Sequence, residues 1–354
     1  MFARREVAKK IRACLTTLNS QLIKYLKSGR TRILVIKPSS LGDVVHTLPA
    51  VWLIFEANPH AEITWVINPE WVPILRGNRS VQHVHIFPRR QFRGVGMSTS
   101  LMPWVRRTRA LRPDVALDFQ GLLRSALIGR FSGAREFYGM SDAREGARFF
   151  YDHVAPVDRQ AHAVERYLQL AAKFGALIRR PPFVPLPTGD PVSRFDESVP
   201  FILLHPFARG QRKSLSDLVI DEFCRVLSPN RIVLIGLSNR TFPIRENCVS
   251  LINQTTLLQL VWLIRAARFT VSVDSGPMHI ASALSERLVS IHTWSDPRRV
   301  GPYNPDAWIW KGGDLLRVRE LQSAPKRRQS KRAFKKSDVD TLLPLLREHL
   351  ERSP

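Results

Sequence analysis

The sequence predicts an α/β protein built as two doubly wound domains. Short apolar runs rich in β-branched residues alternate with helical periods, the pattern of a parallel sheet covered by helices. The alternation stops at a Pro-rich stretch and then restarts. The chain of 354 residues also exceeds the size at which single cores usually stop growing.

In chain order, Val7, Ile11, Leu15, Leu18, Leu22 and Leu26 recur at three- and four-residue steps among Lys and Arg, and Gly29 follows. This predicts a basic amphipathic helix over residues 1–30, to lie on a membrane surface or dock on the protein itself. Arg32–Ile36 reads as a buried strand. Val44, Val45, Leu48, Val51, Trp52 and Phe55 then mark a helix, and the polar turn 37–43 joins the two. Further strands are expected at 63–67, 84–87 and 114–119, with helices at 120–127 and 161–174. Prolines from Arg180 to Pro191 predict an extended connector at 181–199 between domains at 31–180 and 200–320. In the second domain, strands at 201–204, 232–235, 269–273 and 288–291 alternate with helices near 216–228, 255–268 and 277–285. Residues 321–337 read as a disordered basic loop and 338–354 as a closing helix.

The net charge of +24 calls for an anionic partner: nucleic acid, an anionic membrane or a polyanionic substrate. Residues 1–30 hold eight Lys or Arg and one acid, and 326–336 hold seven basic residues and none. A nucleic-acid-binding protein is the reading from charge alone, but no binding motif accompanies it. Cys14, Cys224 and Cys248 have no metal-ligand spacing, which suits a reducing compartment. No apolar stretch is long enough to span a bilayer, and the N-terminus has no secretory h-region.

Three stretches can carry chemistry. Asp43 stands in the first turn of a helix at the carboxyl end of a strand, the edge where open α/β sheets bind ligands. It can cap its helix or act in a reaction, and spacing leaves both open. Asp274-Ser275-Gly276-Pro277-Met278-His279 passes from a strand into a helix start, where free N–H groups favour a phosphate. His279 could bond that phosphate, or be a packed histidine. Arg209, Arg212 and Lys213 follow the strand at 201–204 and could stabilise a departing pyrophosphate, or form a solvated basic loop. No GxGxxG, GxxxxGK[ST] or GxSxG occurs. Asp338-Val339-Asp340 reads as a helix cap rather than a metal motif.

Lys37-Pro-Ser-Ser-Leu-Gly-Asp-Val-Val-His-Thr-Leu-Pro49, Asp118-Phe-Gln-Gly-Leu-Leu-Arg-Ser-Ala126 and Ala143-Arg-Glu-Gly-Ala147 resemble signatures of one family. So do His162-Ala-Val-Glu-Arg166, the Asp274–His279 stretch and Gly301-Pro-Tyr-Asn304. The chain resembles the ADP-heptose:lipopolysaccharide heptosyltransferases of glycosyltransferase family 9, and the motifs at 143–166 resemble the first enzyme of that series. The likeness runs from about residue 31 to 310.

The resemblance implies a GT-B fold, with two Rossmann-like domains facing across a cleft. It implies an inverting, metal-independent transfer of L-glycero-D-manno-heptose from ADP-heptose, with no cofactor. The acceptor implied is a Kdo residue on lipid A, at the cytoplasmic face of the inner membrane in peripheral contact with anionic lipid; no nucleic acid is expected. By motif, Asp43 would be the general base. Lys213 and Arg209 would serve the donor phosphates, Asp274 the donor sugar, and Ser275, Gly276 and His279 the pyrophosphate. Arg89, Arg90, Arg93, Arg144, His162 and Arg166 would face the acceptor. The sequence departs from the family in two places. No glutamate stands near 237–240 to hold a ribose, the nearest being Glu246, and Phe207 and Ala208 occupy positions where hydroxyl residues often contact phosphate. A related transferase using another sugar nucleotide or core acceptor is the alternative.

Overall fold

The computed structural model describes residues 30–92, 97–193, 195–241, 244–321 and 331–351. The helix expected at 1–30, Arg93 and residues 322–330 of the basic loop lie outside them. The chain divides into two compact units that part between Pro185 and Leu186.

In the first unit the elements run β1 (Arg32–Ile36), α1 (Leu41–Ala57), β2 (Glu62–Ile67), β3 (His83–Ile86), α2 (Met97–Ala110), β4 (Val115–Asp118), α3 (Leu123–Phe131), β5 (Glu136–Met140), β6 (His153–Ala155) and α4 (Ala163–Phe174). The six strands form one parallel sheet in the order β3-β2-β1-β4-β5-β6. The chain winds outward from β1 to β3, then returns to lay β4 on the other side of β1. That reversal is the topological switch point, where such sheets open a crevice beyond their carboxyl ends. Ile36 pairs with Asp118 in register, so the loops after β1 and β4 leave the sheet side by side. The central strands β1, β2 and β4 are largely apolar because both faces are covered: Leu34, Val35, Ile36, Trp65 and Leu117 are fully buried.

The second unit runs β7 (Phe201–His205), α5 (Asp217–Leu227), β8 (Arg231–Leu234), β9 (Cys248–Ser250), α6 (Leu257–Ala266), β10 (Phe269–Val273), α7 (Gly276–Leu284), β11 (Leu288–His292), α8 (Pro297–Val300), β12 (Trp308–Lys311), β13 (Asp314–Arg317) and α9 (Val339–Glu351). Its sheet has the order β13-β12-β11-β10-β7-β8-β9, parallel except for the β12–β13 hairpin. The switch point here lies between β7 and β10, with His205 opposite Ser272.

Several details depart from the sequence reading. Helix α3 starts at Leu123 rather than at 120, because Asp118 Oδ1 accepts the N–H groups of Gln120 and Gly121 and holds that turn open. Helix α4 starts at Ala163, because His162 is its cap and accepts the Val164 N–H through Nδ1. Gly276, not Pro277, is the first residue of α7.

The end of the basic loop is packed rather than disordered. Phe334 is buried against Trp310 and Phe223. Arg332 makes a two-pronged ion pair with Asp338 at 2.6 and 2.8 Å and lies over the Trp310 ring. Lys336 reaches Glu222 at 3.2 Å. Asp338 also accepts the Lys335 N–H and so caps a 3₁₀ turn ahead of α9.

Candidate active site

In the first unit Asp43 sits at the third position of α1, just past the carboxyl end of β1. Its Oδ2 accepts from the Ser40 amide at 3.1 Å and the Ser40 hydroxyl at 2.8 Å, which is a cap. Its Oδ1 faces the Lys37 ammonium at 3.9 Å and accepts from the Tyr167 hydroxyl at 3.4 Å. The side chain remains 41% exposed. One carboxylate therefore caps a helix with one oxygen, meets Lys37 and Tyr167 with the other, and keeps part of its surface exposed.

Lys37, directly after β1, is buried. Its ammonium donates to the Phe119 carbonyl at 2.9 Å and to the Tyr167 hydroxyl at 2.8 Å. Burial disfavours its charge, but Tyr167 and the carboxylates of Asp43 and Asp118 outweigh that and raise its pKa. Burial also raises the pKa of Tyr167, against the pull of Lys37, so the phenol keeps its proton and can pass a hydrogen bond on to Asp43. Asp118 is fully buried and accepts from Gln120 N, Gly121 N, Ser125 Oγ and Tyr151 Oη at 2.8–3.0 Å. It fixes the loop after β4 next to the loop that carries Lys37.

Of the residues expected to meet an acceptor, Arg144 is exposed, and its backbone N–H bonds Gly121 O at 2.8 Å, which ties the loops after β4 and β5. His162 caps α4 and its ring stands edge-on to His46, 5.0 Å between centroids. Arg166 is paired with Asp142 inside the protein. Arg89 and Arg90 follow β3 and its loop residue Phe87; Arg90 is exposed and 3.8 Å from Glu70. The structure thus places Arg144 in the loop after β5 and His162 and Arg166 at the start of the helix after β6, and leaves Arg89 and Arg90 by the edge strand.

In the second unit Lys213 ends a short 3₁₀ turn, Gln211–Lys213, in the loop after β7. Its ammonium donates to Asp274 Oδ2 at 2.6 Å, joining two of the three predicted stretches at the β7–β10 switch point. Burial would raise the Asp274 pKa, but His292, Lys213 and a Ser295 hydrogen bond hold it down at about 2. His292 is buried between Ser290 at 2.7 Å and Ser295 at 3.0 Å, and burial lowers its pKa to about 4. His205, at the end of β7, is likewise lowered to about 4 by burial, with Nδ1 3.1 Å from Ser275 Oγ. Ser275 holds the N-cap position of α7 without a capping side-chain bond, its hydroxyl turned to His205 and Val273 O, which leaves the amides of the first turn at the carboxyl edge of the sheet. His279 is buried in the next turn. Arg209 is exposed at the loop tip, and Arg212 lies over the Trp294 ring.

Lys37 and Asp118 open two of the motifs read from sequence, but no role was read for them there, nor for Tyr167, His205, His292 and Ser295. For Lys37 a signal existed, a lysine set directly after an apolar strand buried on both faces. Glu246 is exposed, and residues 237–240 carry no acid. That loop is tied instead by Asn253 to both backbone groups of Ser238 and by Arg240 to Asp217.

Lipopolysaccharide heptosyltransferase 1 of Escherichia coli K12 is 26% identical over 300 residues, covering 78% of this chain and 92% of that protein. The protein of the same name from Pseudomonas aeruginosa is 27% identical over 292 residues, covering 77% and 81%. Among solved structures, E. coli heptosyltransferase WaaC with ADP superposes with a TM-score of 0.69 at 23% identity, covering 90% of this chain and all of that one. E. coli ADP-heptose lps heptosyltransferase II gives 0.64 at 22%, with the same coverage. These likenesses establish the GT-B fold. The sequence pattern of glycosyltransferase family 9 (heptosyltransferase) matches residues 104–213 and 238–331, more than half of the chain. The chain therefore belongs to glycosyltransferase family 9, the heptosyltransferases.

Proposed function

We propose that this transferase moves L-glycero-D-manno-heptose from ADP-heptose to a Kdo residue of the lipid A inner core, with inversion and without a metal. The relatives named lipopolysaccharide heptosyltransferase 1 support a lipopolysaccharide acceptor, and the neighbour solved with ADP supports the nucleotide. The observation that carries the reading is Asp43, a partly exposed carboxylate at the β1–β4 switch point tied through Tyr167 to a buried lysine.

In this reading Asp43 takes the proton of the acceptor hydroxyl as its oxygen bonds to the anomeric carbon of heptose. The bond from that carbon to the diphosphate breaks, and ADP leaves with the electron pair. Lys213 and Arg209 neutralise the departing diphosphate, together with the α7 amides behind Ser275 and Gly276, and His279 bonds it. Asp274, held by Lys213, orients the donor sugar. Arg89, Arg90, Arg93, Arg144, His162 and Arg166 receive the acceptor's carboxylates and phosphates. Residues 31–180 serve the acceptor and 200–320 the donor, joined by 181–199. The protein works at the cytoplasmic face of the inner membrane as a peripheral enzyme. No helix among the described residues is long and apolar enough to cross a bilayer.

The test is incubation with ADP-heptose and Kdo-lipid A, followed by mass spectrometry of the lipid. A product heavier by one heptose is expected, at a rate unchanged by EDTA. Transfer only from another sugar nucleotide, or only to another core acceptor, points to the related-transferase reading.

A further inference from the structure

Phe149 is 91% exposed, the most exposed of the large apolar side chains among the described residues. It lies in the 3₁₀ turn Ala147–Phe150, between Arg148, which is exposed, and Phe150, which packs on the core. This turn packs against α3, whose first residue, Leu123, is 39% exposed and is followed by exposed Arg124. The two segments are fastened: Glu145 accepts the Leu123 N–H at 3.2 Å, and the Arg144 N–H bonds Gly121 O at 2.8 Å. The turn and the start of α3 together therefore display Phe149 and Leu123, each next in sequence to an exposed arginine, with Glu145 the acid among them and engaged on Leu123.

Holding a phenylalanine in water forgoes the stabilisation of burying it. An apolar tip with exposed arginines next to it suits the boundary between anionic headgroups and acyl chains. There the ring enters the apolar layer and the guanidiniums pair with lipid phosphates. The position agrees with the chemistry. The two segments are joined where the loops after β4 and β5 leave the carboxyl edge of the first sheet, at the Arg144 N–H to Gly121 O bond, and Asp43 stands on that edge. A lipid-linked acceptor must be delivered to that edge, an argument that rests on the proposed function.

We infer that Phe149 and Leu123, with Arg124 and Arg148, form a docking face for an anionic bilayer. The test uses the full-length chain and vesicles of phosphatidylethanolamine with phosphatidylglycerol, without any substrate. Phe149→Ser should weaken sedimentation with these vesicles about tenfold. Arg148→Ser should weaken it about fivefold at low salt and less at high salt. Melting temperature should be unchanged, since both side chains are exposed. Unchanged vesicle binding in the double variant overturns the inference. So does a wild-type oligomer, seen by light scattering, that Phe149→Ser dissociates while vesicle binding persists; the face would then bind a second copy. A water-soluble Kdo acceptor separates the two ideas. The double variant should glycosylate it at the wild-type rate while losing transfer to vesicle-borne acceptor. If the wild-type protein transfers no heptose to either, the functional reading fails whatever the vesicles show.

Discussion

The Tyr167 hydroxyl reaches Asp43 Oδ1 at 3.4 Å across 124 residues of sequence, while accepting the Lys37 ammonium at 2.8 Å. Helix α4 thereby braces the turn between β1 and α1, and a buried positive charge stands behind a half-exposed carboxylate. Tyr167→Phe should cost about 1–3 kcal/mol, because it strips a partner from a buried ammonium. Combining it with Lys37→Met should cost less than the sum of the single changes, since no unpaired charge is left inside. Urea unfolding of the four proteins gives the cycle, and strict additivity would show that the hydroxyl and the ammonium are not coupled.

Asp43→Asn should reduce turnover about 10²–10⁴-fold, the usual loss for a general base, while ADP-heptose binding persists. The amide oxygen can still accept from Ser40, so the cap and the melting temperature should largely survive. Asp43→Ala should remove the cap as well, at about 1 kcal/mol. Near wild-type turnover in the Asn variant would leave Asp43 as a cap and nothing more.

Lys213→Ala should weaken ADP and ADP-heptose alike by tenfold or more, as should His279→Ala, because both groups are assigned to the diphosphate. Lys213→Ala should also cost stability, about 1–3 kcal/mol, since Asp274 keeps its buried charge without a cation. Titration calorimetry with ADP reads the first effect and thermal unfolding the second. An affinity for ADP equal to that of the wild type would remove Lys213 from the phosphate site.

The buried histidines predict how the protein meets acid. His205 and His292 titrate near 4 in the fold and near 6.5 when unfolded. Between those values the unfolded chain binds more protons, so stability falls as pH drops from 6.5 to 4, by on the order of 3 kcal/mol per histidine. Asp274, held at about 2, acts over a lower range: its contribution is present above 3.8 and fades from there down to 2. Unfolding midpoints between pH 7 and 4.5 should decline, and His292→Gln should flatten the decline. A variant slope equal to that of the wild type would mean that His292 takes up its proton without unfolding.

Much of this fold is legible in the sequence because its strands are buried on both faces and read as unbroken apolar runs. The runs at β1, β2, β7, β8, β10 and β11 place those strands to within a residue or two. What escaped lacks that signature. Helix α2 carries Arg106, Arg107 and Arg109 with an internal Pro103, and shows no clean apolar stripe. Strand β5 holds a glycine, β6 and β9 have three residues each, and β13 pairs antiparallel at an edge. The site divides in the same way. Asp43, Lys213 and Asp274 are visible because each lies where a strand gives way to a turn or helix. Tyr167 is not, since a tyrosine on the buried face of an amphipathic helix reads as core until the fold shows where its hydroxyl goes.

The packing of residues 331–338 bears on the electrostatic field of the whole molecule. Arg332 is spent on Asp338 and the Trp310 ring, and Lys336 on Glu222. Elsewhere Arg166 is matched by Asp142, Arg245 by Asp221 and Lys213 by Asp274. Each acid is already balanced in the formal count of +24, so these pairs leave the total unchanged but decide where the surplus can be felt. Among the described residues, the exposed Arg124, Arg144 and Arg148 belong to none of these pairs, so a polyanion meets local patches rather than a uniformly basic surface. Screening by salt should therefore act patch by patch, over about a Debye length, and not on the protein as a single charged sphere.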